Sequence, residues 1–161
     1  MSAILVYLGV RHDLSTVVRR RGTIWSYRRG HVDEYYERVL AGDLMLSGTD
    51  GFLVCHIPSL HDPELLPSGR HVIQAMVFAP YDDRPVWEAR REAIKEQIID
   101  RVESLVPGLR RWIDVAHVAV PPTLVKYTSN YRGALYGWAS TCDQVGPFKL
   151  PEKTPIEGLY L

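Results

Sequence analysis

Residues 3–10 read AILVYLGV, an apolar run rich in β-branched and aromatic side chains with Gly9 near its end. A run of this length fits a buried strand and falls well short of the roughly 20 residues needed to span a bilayer. It begins two residues into the chain, whereas domains more often open with a few polar, frayed residues. The expectation is therefore a segment excised from a longer protein. The strongest helix lies further on: Asp82, Asp83 and Pro85 mark its start, Trp87, Ile94, Ile98, Val102 and Leu105 recur at helical spacing, and Pro107 and Gly108 end it.

Between and beyond these elements the chain reads as short strands and turns. Residues 16–27 (TVVRRRGTIWSY) predict a strand, a turn through Arg19, Arg20, Arg21 and Gly22 at the exposed tip, and a second strand. Asp33 is the expected N-cap of a short helix whose Tyr36, Val39 and Leu40 share a face and which Gly42 stops. Residues 51–57 (GFLVCHI) and 71–79 (HVIQAMVFA) predict neighbouring strands, and residues 113–120 (IDVAHVAV) a further one. Pro121 and Pro122 introduce a helical turn through Tyr127, residues 129–155 are irregular, and residues 156–161 (IEGLYL) read as the start of another buried strand. The expected fold is α+β: a mixed, largely antiparallel sheet of five to six strands with one long helix and one or two short helices packed on it, a single domain over residues 1–161.

Composition narrows the function. With 161 residues, 19 Lys plus Arg against 19 Asp plus Glu, the chain has no global field to attract a phosphate backbone, which argues against a dedicated nucleic-acid binder. Its start lacks the basic and apolar regions of a signal peptide, so a cytoplasmic location is expected. Cys55 and Cys142 belong to no CxxC and are read as two buried thiols. His56, His61, Asp62 and His71 are metal-ligand types, but without a helical HxxxH pair or a facial-triad spacing they read as surface side chains and no metal is expected. His61 and Asp62 as an acid–base pair would lack a positioned nucleophile or cofactor site. A GxSxG elbow, a GxxxxGK[ST] loop and a GxGxxG turn are all missing, so neither a nucleophilic serine nor a standard phosphate cradle is indicated.

Two loops have specific composition. The first runs Pro58-Ser59-Leu60-His61-Asp62-Pro63 and continues to Pro67-Ser68-Gly69-Arg70-His71; Asp62 can cap a turn led by Pro63, and Gly69 can take positive φ before the next strand. Pro58, Ser59, Asp62, Pro63 and Gly69 are accordingly read as structural. The second, residues 127–138 (YTSNYRGALYGW), gathers three tyrosines and a tryptophan around two glycines, which suits either the wall of an apolar pocket or packing at an interface.

On these residues the chain resembles the C-terminal half of the phytoene desaturase and carotenoid isomerase family, FAD-dependent oxidoreductases related more distantly to monoamine oxidases. Residues 2–10 resemble the opening strand of that family's substrate domain. Residues 57–79 are similar to its Pro-Ser, Asp-Pro and Pro-x-Gly-x-His pattern. Residues 122–138 resemble its Pro-x-Thr, Tyr and Gly-Ala-x-Tyr-Gly loop, and residues 154–161 (TPIEGLYL) the lead-in to its C-terminal FAD motif. The family's N-terminal GxGxxG unit and the Ala-Gly that follows its Gly-Leu-Tyr-Leu segment have no counterpart here.

The resemblance implies a substrate-binding domain that acts, in a full-length flavoprotein, on a long apolar molecule such as a carotenoid or retinoid. It implies one sheet face toward a substrate channel, helix 86–106 over the other, and residues 129–161 leading to an FAD-binding part that this segment lacks. Tyr136, Gly137 and Trp138 would lie near flavin, and Tyr131, Tyr136 and Trp138 near substrate. FAD is expected to bind the full-length parent and not this segment, which would itself be inactive. Expected partners are the apolar substrate, the missing FAD-binding domain, a membrane surface met peripherally through Arg19–Arg21, Arg28 and Arg29, and a second copy through the exposed interface. The alternative is a stand-alone, non-catalytic module binding a hydrophobic ligand or a partner protein.

Overall fold

A nine-residue apolar strand leaves two rows of backbone donors and acceptors to satisfy, and in this chain both are used. The computed structural model describes residues 1–18, 22–44, 46, 51–82, 84–136, 141–149 and 151–160. In chain order its elements are β1 (Ser2–Val10), β2 (Ile24–Ser26), α1 (Val32–Leu40), β3 (Leu53–His56), β4 (His71–Ala79), α2 (Arg84–Leu105), β5 (Ile113–Ala119) and α3 (Pro121–Thr128). Strand β1 pairs with β4 from Ser2↔Ala79 to Val10↔His71 and, on its other side, with β5. The five strands run in the order β2-β3-β4-β1-β5, and every pairing is antiparallel. The fold is α+β as the sequence indicates, with no parallel pair among the described residues.

Period-two alternation assigns each side chain to a face. Ile4, Val6, Leu8 and Val10 of β1, Ile73, Ala75 and Val77 of β4, and Leu53 and Cys55 of β3 point to one side and are buried. Helix α2 covers that side with Trp87, Ile94, Ile98, Ile99 and Val102, also buried. Arg101, on the same helix and nearly buried, donates to the carbonyls of Gly51 (2.6 Å) and Phe52 (3.2 Å), tying the helix to the start of β3. Burial lowers the pKa of that guanidinium from its usual value. Beyond the helix end, the Glu103 carboxylate accepts the backbone N–H groups of Gly108 (2.7 Å) and Arg110 (2.8 Å), donors with no partner of their own in a strand or helix ladder.

Several local expectations are corrected. Residues 16–18 are not a strand: Leu14–Thr16 form a 3-10 turn whose Asp13 side chain accepts from the Ser15 N–H, and Leu14 drops into the core. The N-cap of α1 is His31, so Asp33 and Glu34 lie in the first turn, where they complement the helix dipole. Helix α2 starts at Arg84 and ends at Leu105, one to two residues ahead of the expected bounds. Residues 153–160 make an isolated bridge between Lys153 and Tyr160 with Ile156, Leu159 and Tyr160 exposed, so the expected buried strand does not form among the described residues. Arg19–Arg21 lie outside the described residues. Cys142 is exposed, and only Cys55 is a buried thiol.

Two glycines are conformationally required. Gly69 (φ 76°) makes the turn that aims the chain into β4. Gly133 (φ 63°) lies so close to the carbonyl of Pro121 that an added Cβ would sit 2.7 Å from that oxygen, and it lets residues 130–135 fold back onto the start of β1. There Leu135 N–H donates to the Met1 carbonyl (3.3 Å).

Two outcomes follow from this packing. Ile98→Ala, which empties a fully buried site under the sheet, lowers unfolding free energy by about 2–5 kcal/mol, while Val115→Thr on the opposite face changes it by no more than about 0.5 kcal/mol, as read by urea denaturation. Ellman's reagent titrates Cys142 alone in the native chain and both cysteines after unfolding, because Cys55 is buried and burial pushes its thiol up to about 12, which keeps it out of the reactive thiolate form.

Candidate functional site

With α2 on one side, the other side of the sheet is left to whatever the rest of the molecule supplies. That face carries Leu5 and Tyr7 from β1, Gln74, Met76 and Phe78 from β4, Val54 and His56 from β3, Trp25 from β2, and Val115 and His117 from β5, all in register. Along β4 the contrast is direct: residues facing α2 are buried and their alternates are only half-buried. Tyr7, Val115 and Trp25 are 40%, 49% and 59% exposed. Alternation alone would have marked this face in the sequence, since Val72, Met76 and Phe78 of HVIQAMVFA alternate with Ile73, Ala75 and Val77, with Gln74 between them, and a one-sided sheet needs only one apolar side.

Two short helices bound the face. At one end α3 and the following loop bring Leu124 and Leu135 onto Ala3, Leu5 and Met76. At the other, α1 buries Tyr35 and Val39 and leaves Val32, Tyr36 and Leu40 exposed. There Phe52 is the hub of an aromatic cluster: stacked on Phe78 (5.0 Å), edge-on to Trp25 (5.5 Å), and within 5.9 Å of Tyr35 and 6.2 Å of Tyr27. Offset and edge-to-face pairs of this kind each add about 0.5–1.5 kcal/mol beyond area burial. Burial pushes the Tyr35 hydroxyl up to about 12.

Of the side chains expected from the sequence near flavin or substrate, Tyr131 and Tyr136 stand 83% and 80% exposed, and Gly137 and Trp138 lie outside the described residues. The loop bearing the two tyrosines is nonetheless constrained. Asn130 donates to the Ala134 carbonyl (2.9 Å), Arg132 holds a left-handed φ of 51°, and its guanidinium lies 5.4 Å over the Tyr81 ring. A flavin dinucleotide needs donors around its pyrophosphate and a wall against its ring system. Two tyrosines that are four-fifths exposed do not close such a wall, so the described residues do not by themselves fit FAD.

The first loop behaves as its composition indicates, with one addition. Asp62 accepts from the Glu64 N–H (3.0 Å) and caps the turn led by Pro63. His71, expected at the surface, is 8% exposed because β4's alternation puts it in line with Ile73. Val72 N–H donates to Ser59 Oγ (3.3 Å), the Ser59 hydroxyl and His71 Nδ1 share a hydrogen bond (2.8 Å), and His71 Nε2 faces Asp13 Oδ1 at 3.5 Å. Hydrogen bonds from Ser15, with a smaller contribution from His71, hold the Asp13 carboxyl below its ordinary range. The residue types are those of a hydrolytic triad, but Ser59 is 5% exposed and cannot present its oxygen to a substrate. The trio is a tether between the end of β1, the first loop and β4. His56 instead bonds Thr23 (3.1 Å) and stacks near His61, and no group of three metal-ligating side chains occurs among the described residues.

No described helix is long and apolar enough to cross a membrane. No family model matches the chain. It is similar to prolycopene isomerase, chloroplastic, of Arabidopsis thaliana (30% identity over 117 residues, 68% of this chain). It is also similar to the pyridine nucleotide-disulfide oxidoreductase domain-containing protein 2 of Mus musculus (29% over 114 residues, 65% of this chain). A third relative is the 1-hydroxycarotenoid 3,4-desaturase of a Flavobacterium species (33% over 92 residues, 56% of this chain). The matches cover 20%, 20% and 19% of those relatives' own lengths, so the chain spans about a fifth of the proteins it matches. With the isomerase match at 30% identity over 68% of its length, the chain belongs to the phytoene desaturase and carotenoid isomerase family of FAD-dependent oxidoreductases.

Proposed function

We propose that this chain is the substrate-binding domain of a longer FAD-dependent oxidoreductase and serves a long apolar, carotenoid- or retinoid-like substrate. The observation that carries the reading is the sheet face opposite α2, where Leu5, Val54, Met76, Phe78 and Val115 supply apolar surface beside a row of Tyr7, Gln74, His56 and His117, and where Tyr7, Trp25 and Val115 stay exposed. A polyene offers no hydrogen bonds, so its binding rests on contact area with a flat apolar surface, which an untwinned sheet face supplies. Two relatives are named for carotenoid chemistry, an isomerase and a desaturase. The flavin would carry the redox chemistry, held mainly by the part of the longer protein outside this stretch. Tyr131, Tyr136, Gly137 and Trp138 would complete its surroundings or those of the substrate. The domain's own share is shape, orientation and exclusion of water. Contact with membranes would be peripheral, with Arg28 and Arg29 exposed beside Trp25 and Tyr27.

Titration with the hydrocarbon polyene axerophthene shifts the methyl NMR signals of Val54, Met76 and Val115 and leaves those of Ile94 and Ile98, under α2, in place; absent shifts, or shifts confined to the α2 side, would overturn the reading. Mixed with FAD and desalted, the chain elutes free of flavin absorbance. Stoichiometric retention would show that the flavin is held here and not elsewhere.

A further inference from the structure

We infer that the end of the sheet where β1 finishes and β4 and β5 begin holds a phosphate group between the guanidiniums of Arg11 and Arg70. The site lies apart from the open face and does not depend on what that face binds. Val10 pairs with His71 on one side and with Ile113 on the other. Arg11, Arg70 and Asp114, each next in sequence to one of those three, are thereby gathered at one end of three adjacent strands. The register shift between Gly9 and Val10 sets Gly9 opposite Val115 and Val10 opposite Ile113, so Asp114 is the extra residue of a bulge. Bulges re-aim side chains in this way.

Asp114 spans the two arginines: Oδ1 lies 2.8 Å from Arg11 Nη2, and Oδ2 lies 3.3 Å from Arg70 Nη1. One carboxylate charge thus faces two guanidinium charges. The Asp114 side chain is 23% exposed and those of Arg11 and Arg70 are 67% and 52% exposed, so the excess positive charge lies toward solvent. Each guanidinium has five N–H donors, and neither has another hydrogen-bond or ion-pair partner among the described residues. The surroundings add to the excess. The Trp112 carbonyl accepts the Arg11 N–H (2.8 Å), and the Trp112 ring carries the Arg111 guanidinium at 4.9 Å and stacks on His12 at 3.8 Å. Asp13 accepts from the Ser15 N–H and faces His71, while Arg110 is occupied by Glu96 and Asp100 of α2. Arginine grips carboxylate and phosphate with the same fork, so two guanidiniums already spaced to bridge one oxyanion are spaced to bridge another. A phosphate monoester brings up to about two negative charges and three oxygens, enough to meet both arginines without displacing Asp114. An extended polyanion would need a longer basic track than these side chains provide.

The test is an NMR titration of the chain, carrying isotope-labelled arginine, with sodium phosphate and separately with sodium chloride at matched ionic strength. Phosphate shifts the Nε–Hε signals of Arg11 and Arg70 more than chloride does and leaves that of Arg90, exposed on α2, in place. Arg11→Gln and Arg70→Gln, both at exposed positions, each weaken phosphate binding about three- to tenfold, and Arg90→Gln leaves it within about twofold. Cosedimentation with phosphatidylcholine vesicles doped with phosphatidic acid separates the two sources of such a group. Sedimentation that the paired Arg11→Gln and Arg70→Gln substitutions abolish assigns a lipid headgroup, and phosphate binding without sedimentation assigns a soluble phosphate ester. Equal effects of phosphate and chloride, equal shifts at Arg90, or phosphate binding and sedimentation that survive both substitutions would overturn the inference, as would the absence of both.

Discussion

The pairing of β1 with β4, nine residues against nine from Ser2↔Ala79 to Val10↔His71, is the constraint on which the molecule depends. It places Ile4, Val6 and Leu8 level with Val77, Ala75 and Ile73, and so makes one continuous apolar row for α2 to cover. A slip of one residue would turn every one of these side chains to the opposite face. Strands β3 and β5 extend the row on either side, and α2 has enough length, from Trp87 to Val102, to lie over all of it.

Polar contacts pin that register at both ends. At the Val10–His71 end, Ser59, His71 and Asp13 link the first loop and both strands, and Asp114 bridges Arg11 (2.8 Å) and Arg70 (3.3 Å) from β5. The ion pairs are exposed and stabilise little. The Ser59–His71 bond is buried, and breaking it by removing one partner would leave a desolvated group unpaired, at a cost of about 1–3 kcal/mol. On the far side, Arg101 carries a charge into the interior and is held there by the carbonyls of Gly51 and Phe52. That contact fixes Phe52, and Phe52 in turn organises the aromatic cluster at the end of the open face. Core packing and candidate site are thus mechanically continuous.

A sheet with a long helix over one face and two short helices at the margins of the other leaves part of its apolar surface unburied. Under the proposed function the asymmetry would have a use, since a long apolar substrate would need a surface that the protein does not fill itself. The loop carrying Tyr131 and Tyr136 is anchored by Asn130, Gly133 and Leu135 yet presents both rings outward, the arrangement of a rigid support for contacts made with something else.

The elements that depend on local pattern were legible in the sequence: β1, β4, β5 and α2 all show the period or β-branched content that such segments require, and the turn signals at Asp62, Pro63, Gly69 and Pro121 mark real turns. The loop resemblances also pointed to the family. What failed depended on neighbours. Residues 16–18 have strand composition but follow a 3-10 turn that drops Leu14 into the core, His71 is buried because its strand's register demands it, and residues 156–160 find no partner strand among the described residues. The aromatic cluster around Phe52 joins β2, α1, β4 and the residue before β3 across more than fifty positions of sequence, so no short window of the chain contains it. The sequence by itself determined β1, β4, β5 and α2 and that β4 carries apolar residues on both faces, because those follow from side-chain period. Only the tertiary structure decided which face α2 takes and which stays open, because that choice is set by the register of strands far apart in the chain.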